Sequence, residues 1–141
     1  MKKSILSFAL IVMTAFSVNA QTIFGKWKNV DEDTGKINSI VEVYKKDGKA
    51  YAKILELTDP KRKDAVCDKC EGDKKNKPIV GMDILSGLEK DGDEWNGGKI
   101  LDPKNGKVYK CYIKLVNKNK LKIRGYLGFS LLGRTVYWVR N

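Results

Sequence analysis

"KVYKCYIKLVNKNKLKIRGYLG", residues 107–128, alternates apolar and polar side chains on both sides of Asn117-Lys118-Asn119. In the first run Tyr109, Cys111, Ile113 and Leu115 share one side, and Lys110, Tyr112 and Lys114 share the other. In the second, Leu121, Ile123 and Leu127 oppose Lys122, Arg124 and Tyr126. A period of two is strand geometry, and so short a connection joins antiparallel neighbours. The stretch reads as a hairpin with one dry face and one wet face.

The same pattern extends outward in both directions. Further strands are expected at Phe24 to Val30, Ser39 to Lys46, Lys49 to Leu57, Ile79 to Leu85, Glu94 to Leu101 and Arg134 to Arg140. With Lys107 to Val116 and Lys120 to Gly128 these make eight, and no long helical period is present. Asp47-Gly48 is a two-residue hairpin signal, and in Asp102-Pro103-Lys104-Asn105-Gly106 the proline fixes φ while Asn-Gly tolerates left-handed positions. Gly97-Gly98 inside a strand marks a bulge or a bend. A meander of eight antiparallel strands removes its exposed edges by closing on itself. The expected fold is therefore all-β, an eight-stranded up-and-down barrel. Its interior either fills with side chains or holds one small ligand.

Ahead of the first strand, Met1-Lys2-Lys3 precedes an apolar run from Ile5 to Val18 and then Asn19-Ala20. That order of charge, apolar middle and small residue is a secretory leader over 1–20, too short in its apolar part to span a bilayer comfortably. The remainder, 21–141, is expected to be one exported domain, periplasmic or extracellular, that does not span the membrane. The chain carries 28 Lys and Arg against 17 Asp and Glu, a net charge of +11. The excess fits a solvated lysine face or an anionic envelope component as partner. Basic and aromatic residues do not interleave as in nucleic-acid binders, so no nucleic-acid partner is expected.

Histidine is absent from the 141 residues, which removes Ser-His-Asp and Cys-His catalysis, His-ligated zinc and axial His haem ligation. Lysine, tyrosine and paired carboxylates could still exchange protons, so this composition does not exclude an enzyme, but no catalytic constellation stands out. The acidic runs Asp31-Glu32-Asp33 and Asp91-Gly92-Asp93-Glu94 lack the EF-hand spacing and read as solvated hairpin tips. No metal and no cofactor is expected.

The two ends of the chain carry a further signal. Gly25-Lys26-Trp27 opens the first strand, and the last runs from Gly133-Arg134-Thr135 to Trp138-Val139-Arg140. Gly-x-Trp with an arginine on the closing strand resembles the lipocalin-like, or calycin, barrels, in which the arginine lies across the indole where the barrel closes. Along the chain, Gly35-Lys36, Cys67-x-x-Cys70, Pro78-Ile79-Val80-Gly81, Trp95-Asn96-Gly97-Gly98-Lys99-Ile100-Leu101-Asp102-Pro103, Asn105-Gly106-Lys107-x-Tyr109, Arg124-Gly125-Tyr126 and Leu132-Gly133-Arg134-Thr135 complete an ordered set. This set resembles the exported bacterial proteins of domain-of-unknown-function family 2147. The resemblance implies a lipocalin-like barrel and no established activity.

Between the third and fourth strands, Thr58 to Pro78 is long for a connection and carries Cys67-Asp68-Lys69-Cys70. A redox dithiol needs a depressed thiol pKa, and Asp64, Asp68, Glu71 and Asp73 oppose it. Zinc would need carboxylates to complete its shell. In an oxidising compartment the pair is expected to form a local disulfide, Cys67 to Cys70, in an ordered flap near a barrel mouth. A bridge from either cysteine to Cys111 is the competing pairing.

The expected function is the binding of a small apolar or amphipathic ligand, with or without an anionic group, beneath that flap. Val41, Val43, Tyr109, Ile113, Leu121 and Ile123 are the expected lining, and Arg134 the polar contact. Asp102 either caps its hairpin through an Asx turn or offers a carboxylate at the mouth, paired with Arg124 or Arg134. Trp27, Trp138 and Arg140 are expected at the closure. The rival reading is an envelope interaction protein, with a filled barrel and a basic outer face.

Overall fold

The computed structural model describes residues 22–129 and 131–141, so the expected leader over 1–20 lies outside the described residues. Eight strands follow one another in order: β1 (Gly25–Val30), β2 (Ile37–Lys46), β3 (Lys49–Leu57), β4 (Asp83–Asp91), β5 (Glu94–Asp102), β6 (Lys107–Asn117), β7 (Lys120–Tyr126) and β8 (Gly133–Arg140). Each pairs antiparallel with the next, and β8 returns to β1, closing the barrel. The closing seam is short, with Trp27 opposite Arg140, Lys28 opposite Val139 and Asn29 opposite Trp138.

Alternation sets the inner face. Trp27, Val41, Val43, Ala52, Leu85, Leu88, Ile113, Leu121 and Ile123 are all essentially inaccessible to water and pack as one core. Lys110 and Lys114 stay exposed on the opposite face of β6. The expected bulge appears as a register shift between Trp95 and Gly98 against β6.

β4 begins later than the sequence pattern suggests. Ile79 to Met82, expected within it, instead ends the long connection: Ile79 N–H donates to Ala65 O and Gly81 N–H to Ile54 O. Ile79 and Met82 are buried. Their apolar character is therefore real, but it anchors a loop rather than extending a strand.

Because the strands run up and down, the connections form two groups. The short turns at 47–48, 92–93 and 118–119 lie at one end, with the N-terminal segment and Asn141. There Arg140 sits over the Trp27 ring, 4.0 Å from its centroid. Its Nε donates to Lys118 O, Nη1 to Phe24 O and Nη2 to Thr22 O. Trp27 Nε1 donates to Ile23 O at 2.9 Å, and Phe24 stacks edge-on against Trp95. Gly25 has φ +122, and a Cβ there would lie 3.2 Å from Arg140 Nη1. Glycine is thus required both by the backbone and by the guanidinium above it. This end is plugged.

Trp27→Ala should lower the unfolding free energy by about 3–5 kcal/mol in a urea titration, since the plug cannot collapse into the space left. A second prediction concerns Cys111, which is free and buried on the inner face of β6. Burial pushes its thiol from 9.0 up to about 12. Above the lower value the unfolded chain releases a proton that the folded chain keeps, so stability falls as pH rises through this window. Between about pH 8 and pH 10 the native protein should lose about 1 kcal/mol more than Cys111→Ala does.

Candidate functional site

The remaining connections, 31–36, 58–82, 103–106 and the described residues after β7 (127–129 and 131–132), gather at the other end and surround an opening. Beneath it lies a cavity of about 1570 Å³. Its inner wall is mostly apolar, with Ile54, Ile84, Ile100, Ile123, Val136 and Trp138, and Tyr109, Asn29 and Ser39 stand among them. Charge is confined toward the rim, where Asp31, Asp59 and Asp102 mix with Lys36, Arg62 and Arg134.

The rim is held by turn chemistry rather than by ion pairs. Asp31 Oδ1 accepts from the N–H groups of Asp33 and Thr34, both at 2.9 Å, and these bonds lower its pKa. Asp102 Oδ1 accepts from Lys104 N–H at 2.9 Å, the Asx turn that was one of its two expected roles. The alternative, a pairing with Arg124 or Arg134, does not form: the ion pairs among the described residues are Lys49 with Glu89 and Lys114 with Asp93. Arg124 donates to Thr135 Oγ1 and to Leu131 O.

The long connection folds back on itself. Val66 bridges Pro78, Cys67 N–H donates to Lys77 O, and Asn76 N–H donates to Cys67 O. Cys67 and Cys70 form a disulfide with Cα atoms 5.3 Å apart, and both are buried. The pairing with Cys111 is thereby excluded. Cys67 Sγ lies 3.6 Å from Pro103 O, and a Cβ on Gly106 would fall 1.8 Å from Lys69 O. The clip therefore rests directly on the β5–β6 turn, where Gly106, at φ +71, has no room for a side chain. Asp59, Arg62 and Ile79 carry this connection into the cavity wall.

The expected lining residues divide by height. Tyr109, Ile123, Asp102 and Arg134 stand on the cavity wall. Val41, Val43, Ile113 and Leu121 are packed in the core nearer the plugged end, outside the cavity lining. On β8, Arg134, Val136, Trp138 and Arg140 share the inward face, as alternation implies. Arg134 reaches the rim and Arg140 the plug, while Trp138, expected at the closure, lines the cavity between them.

The sequence reading missed Ile54, Ile84, Ile100 and Val136 as lining, although all four lie in apolar strand runs. It also missed the rim turn after β7, where Leu127, Phe129, Leu131 and Leu132 are exposed, Leu131 by 88%. The run of large apolar residues in a turn was the available signal. Among the described residues no helix is long and apolar enough to cross a membrane, and no cluster of three or more metal-ligating side chains occurs.

A closed, eight-stranded meander, plugged by an Arg-Trp stack and open at the opposite end, defines a lipocalin-type barrel. The family model described as "Uncharacterized protein conserved in bacteria (DUF2147)" matches residues 25–140, and the chain belongs to that family. Among solved structures it is similar to HP1028 from Helicobacter pylori, described as belonging to the lipocalin family. The two share 23% identity over 85% of this chain and 83% of that one, with a TM-score of 0.74. No curated protein matches the chain.

Replacing Cys67 and Cys70 together by serine should leave the barrel folded. The closed loop is so short that about 2 kcal/mol of stability is at stake. Amide exchange should accelerate across 58–82 and stay slow in β2, β6 and β7. Gly106→Ala should produce the same local signature with the disulfide intact.

Proposed function

We propose that this protein is an exported binding barrel that holds one small apolar or amphipathic ligand. The observation that carries the reading is the cavity, which exceeds the roughly 300–1,000 Å³ of common small-molecule sites and has a mostly apolar inner wall. An amphipathic molecule would place its apolar part against Ile54, Ile84, Ile100 and Val136 and its polar part among the rim charges, with Arg134 as the cation for an anionic group. Export is supported by the leader-like order of residues 1–20. Acid-base chemistry finds no support in the cavity, because among the groups with shifted pKa values only Asp31 lies on its wall, and that carboxyl caps a turn.

The rival, an envelope partner recognised by the outer face, rests on the exposed Lys110 and Lys114. It requires binding that weakens with salt, because exposed charges are screened beyond roughly 10 Å at 0.1 M.

The test uses the neutral fluorophore N-phenyl-1-naphthylamine. It should bind the native protein saturably at one site per chain. Val136→Trp, which pushes an indole from the apolar wall into the cavity, should weaken binding by about tenfold or more, whereas Val108→Trp on the exposed outer face should not. Absence of saturable binding, or indifference to Val136→Trp, would overturn the reading.

A further inference from the structure

Trp138 stands on the cavity wall and is 2% exposed, yet its Nε1 has no hydrogen-bond partner and is the one such orphan among the described residues. A buried N–H without a partner is costly, and the other fully buried indole, Trp27 in the plug, satisfies its own through Ile23 O. Cross-strand pairing sets Asn29 beside Trp138, and Ser39 beside Asn29. Trp138, Asn29 and Ser39 thus form a polar row, all three on the cavity lining. Trp138 lies four residues below Arg134 on β8, roughly 13 Å of strand, and its partner Asn29 on β1 lies two residues below Asp31, roughly 7 Å, so the row sits beneath the charged rim.

We propose that this row receives a neutral hydrogen-bond acceptor of the ligand, a ketone, ester or amide carbonyl, with Trp138 Nε1, which is closed to water in this structure, uncovered by a small shift of the wall side chains to act as the donor. The inference rests on the cavity being a ligand site and adds the chemistry of the wall beneath its rim. Neutrality follows from the charges available at that depth. Arg140 is the nearest cation along the strand, and its Nε, Nη1 and Nη2 are already given to Lys118 O, Phe24 O and Thr22 O. Ser39 is the one buried polar or charged residue among those described, so no buried charge is at hand to balance an anion there. Asn29 and Ser39 each offer both a donor and an acceptor, which suits a carbonyl and a neighbouring ester oxygen or amide N–H equally.

A matched pair of probes tests this: 2-acetylnaphthalene, which has the carbonyl, and 2-isopropenylnaphthalene, in which a methylene group of similar shape replaces the oxygen. With the indoles labelled with nitrogen-15, the ketone should move the Trp138 Nε1–H resonance downfield, and the alkene should not. Trp138→Phe should weaken the ketone about fivefold and leave the alkene within twofold, which also shows that the variant keeps its cavity. Equal weakening of both probes, or an unmoved resonance at saturation with ketone, would overturn the assigned donor while leaving the binding barrel intact. If neither probe binds the native protein, the donor and the cavity reading fall together.

Discussion

Closure depends on one contact, the Arg140 guanidinium lying over the Trp27 indole. A cation on an aromatic face contributes roughly 0.5–2 kcal/mol by itself, but here its main effect is geometric. The three guanidinium nitrogens gather the carbonyls of Thr22, Phe24 and Lys118, so one side chain ties the N-terminal segment and the β6–β7 turn to the last strand. Burial lowers the pKa of Arg140, though an arginine in a protein remains charged. Plugging one end leaves the other free to open. The cavity exists because the inner volume that Trp27, Trp95 and their neighbours fill below is left unfilled above.

The open end is built on a different principle. Its connections are long, and they are fixed by backbone hydrogen bonds, Asx turns and a local disulfide rather than by apolar plugging. The clip over 67–70 is itself buried and seated on the β5–β6 turn, so the longest connection behaves as a section of wall. Charge of both signs at the rim and apolar side chains within give the cavity a graded polarity from entrance to interior.

Most of this fold is legible from side-chain alternation and turn chemistry. Lys107 to Tyr126 could be placed almost to the residue, because a hairpin with a short turn leaves no freedom of register. Pro78 to Gly81 misled the reading: Ile79 is apolar for burial, and only its tertiary contact with Ala65 shows that the burial belongs to a loop. The site was harder to read. Period two tells which side of the wall a residue faces, but not its height along the barrel axis, which is set jointly by strand tilt and stagger. Val41 and Ile54 face each other across a strand pair, yet Ile54 reaches the cavity and Val41 does not. The orphan indole of Trp138 lay beyond sequence reasoning altogether, since a missing partner is a property of three-dimensional surroundings.

The short seam between β1 and β8 also bears on how the molecule assembles. Every other strand pair joins neighbours in sequence, and apart from β3 and β4, which the long connection 58–82 separates, those hairpins close short loops and can form early and independently. The seam alone joins residues more than a hundred positions apart, and it has only three paired positions. Its loop-closure entropy must be met last, after the meander has curled enough to bring Arg140 to Trp27. Interactions made late contribute little to the folding rate and much to the unfolding barrier. The Arg-Trp plug is therefore the molecule's kinetic latch: its strength governs how long a closed barrel stays closed rather than how quickly one forms.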